Sequence, residues 1–396
     1  MLQKPLPTTI LGTLSLALAC GSPPADVVVE RNWEVLCGER CAGAPVQVEV
    51  GIGYSCVRYA GGAVLCWGIR RGVAADVDAY RHERGPVGIS DWPQIEMPEG
   101  IVAAADLQAN LGHTCVIQGS NREQWCWGTL TPLTVVPVRY GGDDVGSFGK
   151  FCALDTDGRP FDLGPSWEEY RLRDCSKSRR DFATDCGIDL EGRLYCAGHN
   201  SAGQVGNGLI RGDTGGNEAI THLPQLSGVV QVVTEEDFTC ALEADGEVWC
   251  WGDNFLGVIG REPSGRYVDE NGSGRSYNFP TPQRVEGLAD IVQLRSSSRT
   301  VCAVRADGQL FCWGEDWLGL MRLPSPDGLA PETTTPVAIV DAHDVVDLDM
   351  ATHHGCLIRR TGEVACWGSD YHGAIGPEPS YVPFGHLQPV RGLPSH

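Results

Sequence analysis

The 396-residue chain has few methionines and an excess of acidic over basic residues. Its 30 Lys and Arg stand against 51 Asp and Glu, a formal charge of −21. Such an imbalance repels nucleic acid and anionic membrane surfaces, which excludes phosphate-backbone binding as a main activity. Beyond the first twenty residues no segment is long and apolar enough to cross a bilayer as a helix. The sequence also lacks G-x-S-x-G, a Walker loop, H-E-x-x-H and a dinucleotide fingerprint, so the common hydrolase, nucleotide and zinc-protease signatures are absent. With only 4 Met but 51 Gly and 25 Pro, long helical patterns are scarce and turns are many. A 42% hydrophobic content still supports a core, and together these features point to an all-β chain.

The N-terminus has the form of a targeting segment. Lys4 precedes an apolar run from Ile10 to Ala19 that is too short to span a membrane and ends in small residues. Ala17-Leu18-Ala19 fits an ordinary signal-peptidase site, whereas Ala19-Cys20 resembles a bacterial lipobox with Ala17 in the place of the usual Leu. Parity bears on the choice, because 17 Cys leave one thiol over and a lipidated Cys20 leaves 16. The expectation is a signal peptide over 1–19, then a lipid-anchored tether with a small Cys37/Cys41 segment over 20–44. Loss of Lys4 takes the mature chain to 29 basic against 51 acidic residues, or −22.

Seven similar segments follow: Cys56–Gly68, Cys115–Gly128, Cys152–Gly164, Cys186–Gly198, Cys240–Gly252, Cys302–Gly314 and Cys356–Gly368. Six carry two Cys and five end in Cys-Trp-Gly. In Cys240–Cys250, strand-forming residues flank Ala244-Asp245-Gly246, a three-residue hairpin loop with Gly246 in the left-handed region. Counting outward pairs Cys240 with Cys250 at a closely spaced, non-hydrogen-bonded position, which suits a disulfide. The same reading gives Cys56–Cys66, Cys186–Cys196, Cys302–Cys312 and Cys356–Cys366. A four-residue loop, 119–122, gives Cys115–Cys126. In the third segment Asp162 replaces the second Cys and Leu163 the Trp. Elimination then leaves Cys152–Cys175 and Cys37–Cys41, or the exchanged pairing of the same four. Such a framework requires an oxidising compartment.

Each unit extends beyond its hairpin, with Pro282-Gln-Arg-Val285-Glu-Gly287-Leu288 and Ile291-Val-Gln-Leu294 ahead and Gly198-His-Asn200-Ser-Ala-Gly203-Gln-Val-Gly206 behind. This pattern resembles the regulator of chromosome condensation repeat family, including its bacterial secreted and lipoprotein members. The resemblance implies a seven-bladed β-propeller with four strands per blade over 45–393. His386–Pro394 reads as a blade-opening phrase with no hairpin after it, while Val46–Val50 lacks such a phrase ahead of it. The expected ring is therefore closed by pairing of N- and C-terminal strands. Nucleotide exchange and chromatin binding belong to the family's eukaryotic founder and do not transfer with the fold.

No residue points to catalysis, a metal or a cofactor. Asp155-Thr-Asp157-Gly158 is explained by a hairpin turn, and His353-His354 by a repeated structural position, since His113 stands equally before Cys115. Arg171, Arg173, Lys177, Arg179 and Arg180 are diluted by Glu168, Glu169, Asp174 and Asp181 as on a solvated loop. Phe255, Trp317 and Tyr371 occupy one repeat position after Cys-Trp-Gly in consecutive blades, beside the long insertions 69–100, 253–279 and 315–335. Rings in an arc on a rigid scaffold suit a protein-binding surface, and blade-junction packing is the competing reading. The expected function is thus a non-enzymatic, monomeric, lipid-anchored propeller of the bacterial outer membrane, facing periplasm or exterior, that binds a protein partner as an inhibitor or scaffold. The alternatives are a secreted form, a hydrolase or lyase with acidic residues in the central channel, and a structural surface component.

Overall fold

The computed structural model describes residues 42–51, 53–68, 101, 103–109, 113–118, 123–128, 138–139, 145–149, 152–155, 157–160, 163, 165–177, 184–211, 217–262, 277–316, 318–321, 332–369, 375, 384–390 and 393–394. These residues are almost entirely strand and turn, with one short 3-10 turn at Pro165–Trp167. Every described strand belongs to the unit Asn32–His396.

The strands form antiparallel sheets in chain order. The first sheet is β1 (Pro45–Gly51), β2 (Tyr54–Tyr59) and β3 (Val64–Gly68). The second is β4 (Ala104–Ala109), β5 (His113–Gln118), β6 (Glu123–Gly128) and β7 (Val138–Arg139). The third segment supplies only a two-stranded ladder, β8 (Val145–Gly149) and β9 (Cys152–Asp155). Four further sheets have four strands each: β10 (Leu172–Lys177) to β13 (Asn217–His222) through β11 (Thr184–Asp189) and β12 (Leu194–His199); β14 (Val229–Thr234) to β17 (Phe279–Arg284) through β15 (Phe238–Glu243) and β16 (Val248–Gly252); β18 (Ile291–Ser297) to β21 (Glu332–Ala338) through β19 (Thr300–Arg305) and β20 (Leu310–Glu315); and β22 (Val345–Met350) to β25 (Phe384–Pro389) through β23 (His354–Arg359) and β24 (Val364–Gly368). Six sheets thus have three or four strands, the array of an all-β propeller.

The hairpin cysteines meet in the register that their spacing predicts. Cys240 lies opposite Cys250 and Leu242 opposite Val248, leaving the three-residue loop closed by Glu243 N–H to Glu247 O at 2.9 Å. Gly246 has φ +87°, and a Cβ there would stand 2.8 Å from the Asp290 backbone, so both the turn and the neighbouring strand require glycine. Gln118 pairs with Glu123, which leaves the four-residue loop of the longer hairpin. Six disulfides result: Cys56–Cys66, Cys115–Cys126, Cys186–Cys196, Cys240–Cys250, Cys302–Cys312 and Cys356–Cys366. Cys175 is buried and disulfide-bonded, but the Cys152 side chain lies outside the described residues, as do Cys20, Cys37 and Cys41.

The expected assignment of strands at the repeat boundaries is corrected. The Pro-x-x-Val phrase does not open a blade. Phe279–Arg284 pairs with β16, and Phe384–Pro389 pairs with β24, each as the outer strand of the hairpin before it. The phrase containing His386 therefore completes the last sheet, and no ladder joins β1 to β25 among the described strands. In both sheets the pairing begins beside the hairpin's closing glycine, Gly252 with Phe279 and Gly368 with Phe384.

The first strand of each sheet contacts that of the next, in the succession β1, β4, β8, β10, β14, β18, β22 and again β1. Apolar clusters fill the junctions between sheets. Trp251 packs with Val205 and Leu223 of the preceding sheet, Trp313 with Val258 and Ile259, and Trp67 with Ile358 and Val364 of the last sheet. The loops after the hairpins complete these junctions. Asn200, Asn254 and Asp316 accept the N–H five residues on, at Val205 (3.1 Å), Ile259 (2.9 Å) and Met321 (2.9 Å). The carbonyls of Gln204 and Val258 then accept the Trp251 and Trp313 indole N–H at 2.8 and 2.9 Å. The recurring Asn/Asp after Cys-Trp-Gly is thus a loop brace that holds the next sheet's tryptophan.

Candidate functional site

The first strands carry one side-chain pattern. Their ladders skip a residue between Pro45 and Gln47, Ala104 and Asp106, Leu172 and Asp174, Val229 and Gln231, Ile291 and Gln293, and Val345 and Asp347. The skipped residue is a β-bulge, and it turns outward. Four of these residues are exposed valines: Val46 (42%), Val230 (38%), Val292 (60%) and Val346 (46%). They lie at the hairpin-turn end of the sheets, since their neighbours Val229 and Ile291 pair with Glu243 and Arg305.

One residue on, the side chains are polar and tie sheet to sheet. Gln47 Nε2 donates to Leu107 O (2.8 Å) and Asp106 Oδ1 (2.9 Å). The Gln231 Oε1 accepts Leu294 N–H at 2.9 Å. Gln293 Nε2 donates to Asp347 Oδ1 at 2.6 Å. Asp347 Oδ2 accepts Val48 N–H at 2.7 Å, joining the last sheet to the first. A second tier repeats the device: Asp349 Oδ2 accepts Val50 N–H (2.7 Å), Glu49 Oε2 accepts Ala109 N–H (3.3 Å) and Ser176 Oγ accepts Thr234 N–H (3.0 Å). The fully buried His354 adds a 2.8 Å hydrogen bond between its Nε2 and Ser55 Oγ across the same last-to-first junction, so His354 has a structural place there.

These side chains gather carboxylates around Arg295, whose Nε stands 3.6 Å from Asp349. Burial, then the charge of Asp349, pushes the Glu49 carboxyl well above the usual range. Burial raises Asp174 to about 7 against the opposing pull of N–H bonds and Arg295, and it raises Asp347 too. Burial disfavours the Arg295 cation, yet Asp347, Asp349 and Glu49 hold it above its ordinary value. Beside the cluster, a pocket of about 460 Å³ opens between β18 and β22, lined by Gln231, Gln293, Arg295, Val292 and Val346, with Arg305 and Arg360 also on its wall.

Of the sequence-predicted surface residues, Phe255 is 58% exposed, edge-on to Tyr277 with centroids 5.8 Å apart. It is therefore not junction core, which Trp251 and Asn254 fill instead. It follows Gly252, paired with Phe238, and so lies at the opposite end of the sheet from Val230. Trp317 and Tyr371 lie outside the described residues, so of the predicted arc the structure describes Phe255 alone. One acidic group has metal-ligating spacing among the described residues: Glu243, Asp245 and Glu247, with ligand atoms within 4.8 Å. Its oxygens accept Ser227 N–H (2.6 Å), Trp249 Nε1–H (2.8 Å) and Glu247 N–H (3.1 Å), as a hairpin turn requires.

The axial carboxylates were missed because they come from strands about sixty or more residues apart. The signal was present in the repeats themselves, where Val345-Val-Asp-Leu-Asp349 aligns with Ile291-Val-Gln-Leu-Arg295 and Val229-Val-Gln-Val-Val233.

Residues 229–257 match the family model of the Regulator of chromosome condensation (RCC1) repeat. The human E3 ubiquitin-protein ligase HERC2 is 27% identical over 215 residues, which cover 50% of this chain and 4% of that protein. The mouse RCC1-like G exchanging factor-like protein is 24% identical over 213 residues, 51% of this chain and 41% of its own length. The chain thus spans less than half the length of these curated relatives. Among solved structures, Prp20p of Saccharomyces cerevisiae has 16% identity and a TM-score of 0.48, covering 87% of this chain and 76% of that one.

Proposed function

We propose that the chain is a non-catalytic, seven-bladed propeller of the cell envelope that works by binding another protein. In this reading the β8–β9 ladder belongs to the seventh blade, and the junction made by Asp347, Asp349 and His354 with the first sheet closes the ring. The six hairpin disulfides suit an oxidising compartment. Attachment through a lipid on Cys20 is part of the proposal and is tested by the intact mass of the mature chain.

The observation that carries protein binding is the set of exposed valines on the axial strands. Val46, Val230, Val292 and Val346 are bulge residues on backbones stapled by disulfides one strand away, so their aliphatic surface is presented with little freedom to collapse. Pre-organised apolar groups in a polar surround suit a partner contact. Phe255 offers a second contact at the other end of the sheets.

The raised pKa values of Glu49 and Asp174 favour the competing hydrolase or lyase reading. Against it, these carboxylates already accept backbone N–H groups: Asp347, Asp349 and Glu49 from Val48, Val50 and Ala109 across sheet junctions, and Asp174 from Cys175 on its own strand. Burial in those junctions is sufficient cause for the shifts.

The test is capture from an envelope fraction by the immobilised whole chain, compared with Val292→Ser/Val346→Ser and with Phe255→Ala. A partner lost with either variant at an unchanged melting temperature supports the proposal. A capture pattern indifferent to both refutes it.

A further inference from the structure

The outer strand of the sheet β10–β13 differs from its counterparts. β17 carries Pro280 and Pro282, β21 carries Pro336 and β25 carries Pro389, whereas β13 has no proline over Asn217–His222. A proline on an edge strand removes an N–H that an added strand would use. β13 is also the least bulged of the four. Between the pairs Cys196–Thr221 and Gly198–Glu218, two residues, Ala219 and Ile220, stand opposite Ala197. In β17, β21 and β25 three residues stand opposite Trp251, Trp313 and Trp367. Extra residues of this kind bend an edge away from pairing. The sequence carries the cause, since Ala197 stands where the other three hairpins have the Trp of Cys-Trp-Gly.

The register fixes which backbone groups of β13 face outward. Thr221 pairs with Cys196, and Leu223 N–H reaches Leu194 O at 3.0 Å, so His222 between them turns its N–H and C=O away from β12. The Ile220 carbonyl points the same way, opposite in its peptide to the inward Thr221 N–H. Neither His222 nor Ile220 makes a hydrogen bond on that side among the described residues. Pro224, two residues on, ends the open stretch. A row of rings leads to the same edge. Trp167 meets Tyr170 at 5.4 Å between centroids, Tyr170 meets Tyr195 at 5.1 Å, and Tyr195 meets His222 at 5.1 Å. Exposure rises along the row, from buried Trp167 through the half-buried tyrosines to exposed His222. Alternating donors and acceptors at strand spacing are satisfied by an extended backbone, and a ring on the outermost strand is extended by a ring on the next.

Resting on the protein-binding reading above, we propose that β13 receives a short extended segment of a protein partner as an added strand. The segment bonds the outward groups of Ile220 and His222 and sets an aromatic side chain beside the His222 ring.

The test titrates the whole chain by fluorescence anisotropy with a labelled hexapeptide that alternates threonine with valine and phenylalanine, and with its fully N-methylated form. The plain peptide is expected to bind below about 1 mM, and the methylated form about tenfold more weakly or worse, as the loss of backbone hydrogen bonds implies. His222→Pro removes the outward N–H at a place where β25 already has Pro389, opposite Ala365 as His222 is opposite Tyr195. It should weaken the plain peptide about tenfold at an unchanged melting temperature, while His222→Phe retains binding. Amide exchange at His222 should be fast in the free chain and slow with the peptide bound. A His222 amide already protected in the free chain, equal binding of the methylated peptide, indifference to His222→Pro, or no binding of the plain peptide up to about 1 mM overturns the inference. A chain that sediments as a dimer and becomes monomeric with His222→Pro pairs β13 with its own copy, which also overturns it. Failure here is separable from failure of protein binding itself. A partner still captured by His222→Pro, and released by Val292→Ser/Val346→Ser or by Phe255→Ala, overturns only this inference.

Discussion

Replacing Asp347 with alanine tests the junction between the last sheet and the first. Asp347 is 8% exposed and holds three sheets together, accepting Val48 N–H at 2.7 Å from β1 and Gln293 Nε2–H at 2.6 Å from β18. Alanine leaves the fully buried Val48 amide without an acceptor, which costs about 1–3 kcal/mol. Gln293 loses its short bond, and its Oε1 already meets no donor, which adds roughly 1 kcal/mol. Relief of a carboxylate that burial disfavours offsets part of this, so a net loss of about 2–4 kcal/mol is expected at neutral pH. Asp347→Asn keeps an oxygen at the same position and sheds the charge, so it should cost under about 1 kcal/mol. Denaturant unfolding with the disulfides intact measures both, and amide exchange at Val48 reports the local opening. An alanine variant within about 0.5 kcal/mol of the parent, or an asparagine variant as unstable as alanine, would show that the acceptor does not hold this junction.

Asp174 should make the protein less stable as pH rises. Its folded pKa of about 7 lies above its ordinary value of 3.8, so the folded state binds the extra proton between them. Stability should decline across that window with Arg295 and Arg173 still charged, and Asp174→Asn should flatten the decline in thermal melts from pH 4 to 7. Reduction of the six hairpin disulfides, each closing 10 or 11 residues, should lower the melting temperature by less than six independent losses of about 2.7 kcal/mol. Strand circular dichroism should persist at 25 °C, because each crosslink spans a local hairpin. Phe255→Ala should leave the melting temperature unchanged, whereas Trp313→Ala, which empties a fully buried junction and strands Val258 O, should cost about 3–5 kcal/mol.

What the sequence disclosed depended on the distance over which its information acts. A hairpin is decided by a dozen residues, so the pairing of Cys240 with Cys250, and the extra residue before Cys126, followed from counting alone. Sheet boundaries depend on which hairpin the following phrase joins. Gln283 stands 19 residues before the next hairpin's Cys302 and 33 after Cys250, yet it pairs with Cys250. Chain proximity therefore misassigned the outer strand. The axial cluster is more distant still, because Glu49, Asp174, Arg295 and Asp349 meet only when separate sheets are assembled. Phe255 was legible as a recurring ring position, but surface against blade-junction packing was not, because the choice turns on Asn254 bracing the loop beside it through a bond to Ile259 N–H.

Because β25 hangs on the outer edge of its sheet and is not shared with the first, the two ends of the chain respond differently to force. A pull on the C-terminal strand peels its hydrogen bonds from β24 one after another, which is a weak mode of resistance. That unravelling meets a covalent stop at Cys366, tied to Cys356 on β23, so further extension must drag the whole hairpin out of its place between sheets. A pull on β1 instead loads the bonds of Val48 and Val50 to Asp347 and Asp349 and the Ser55–His354 contact together with the β1–β2 ladder. A tether entering through β1 would thus transmit tension into the seam between first and last sheets, while the C-terminal edge acts as a short, self-limiting zipper.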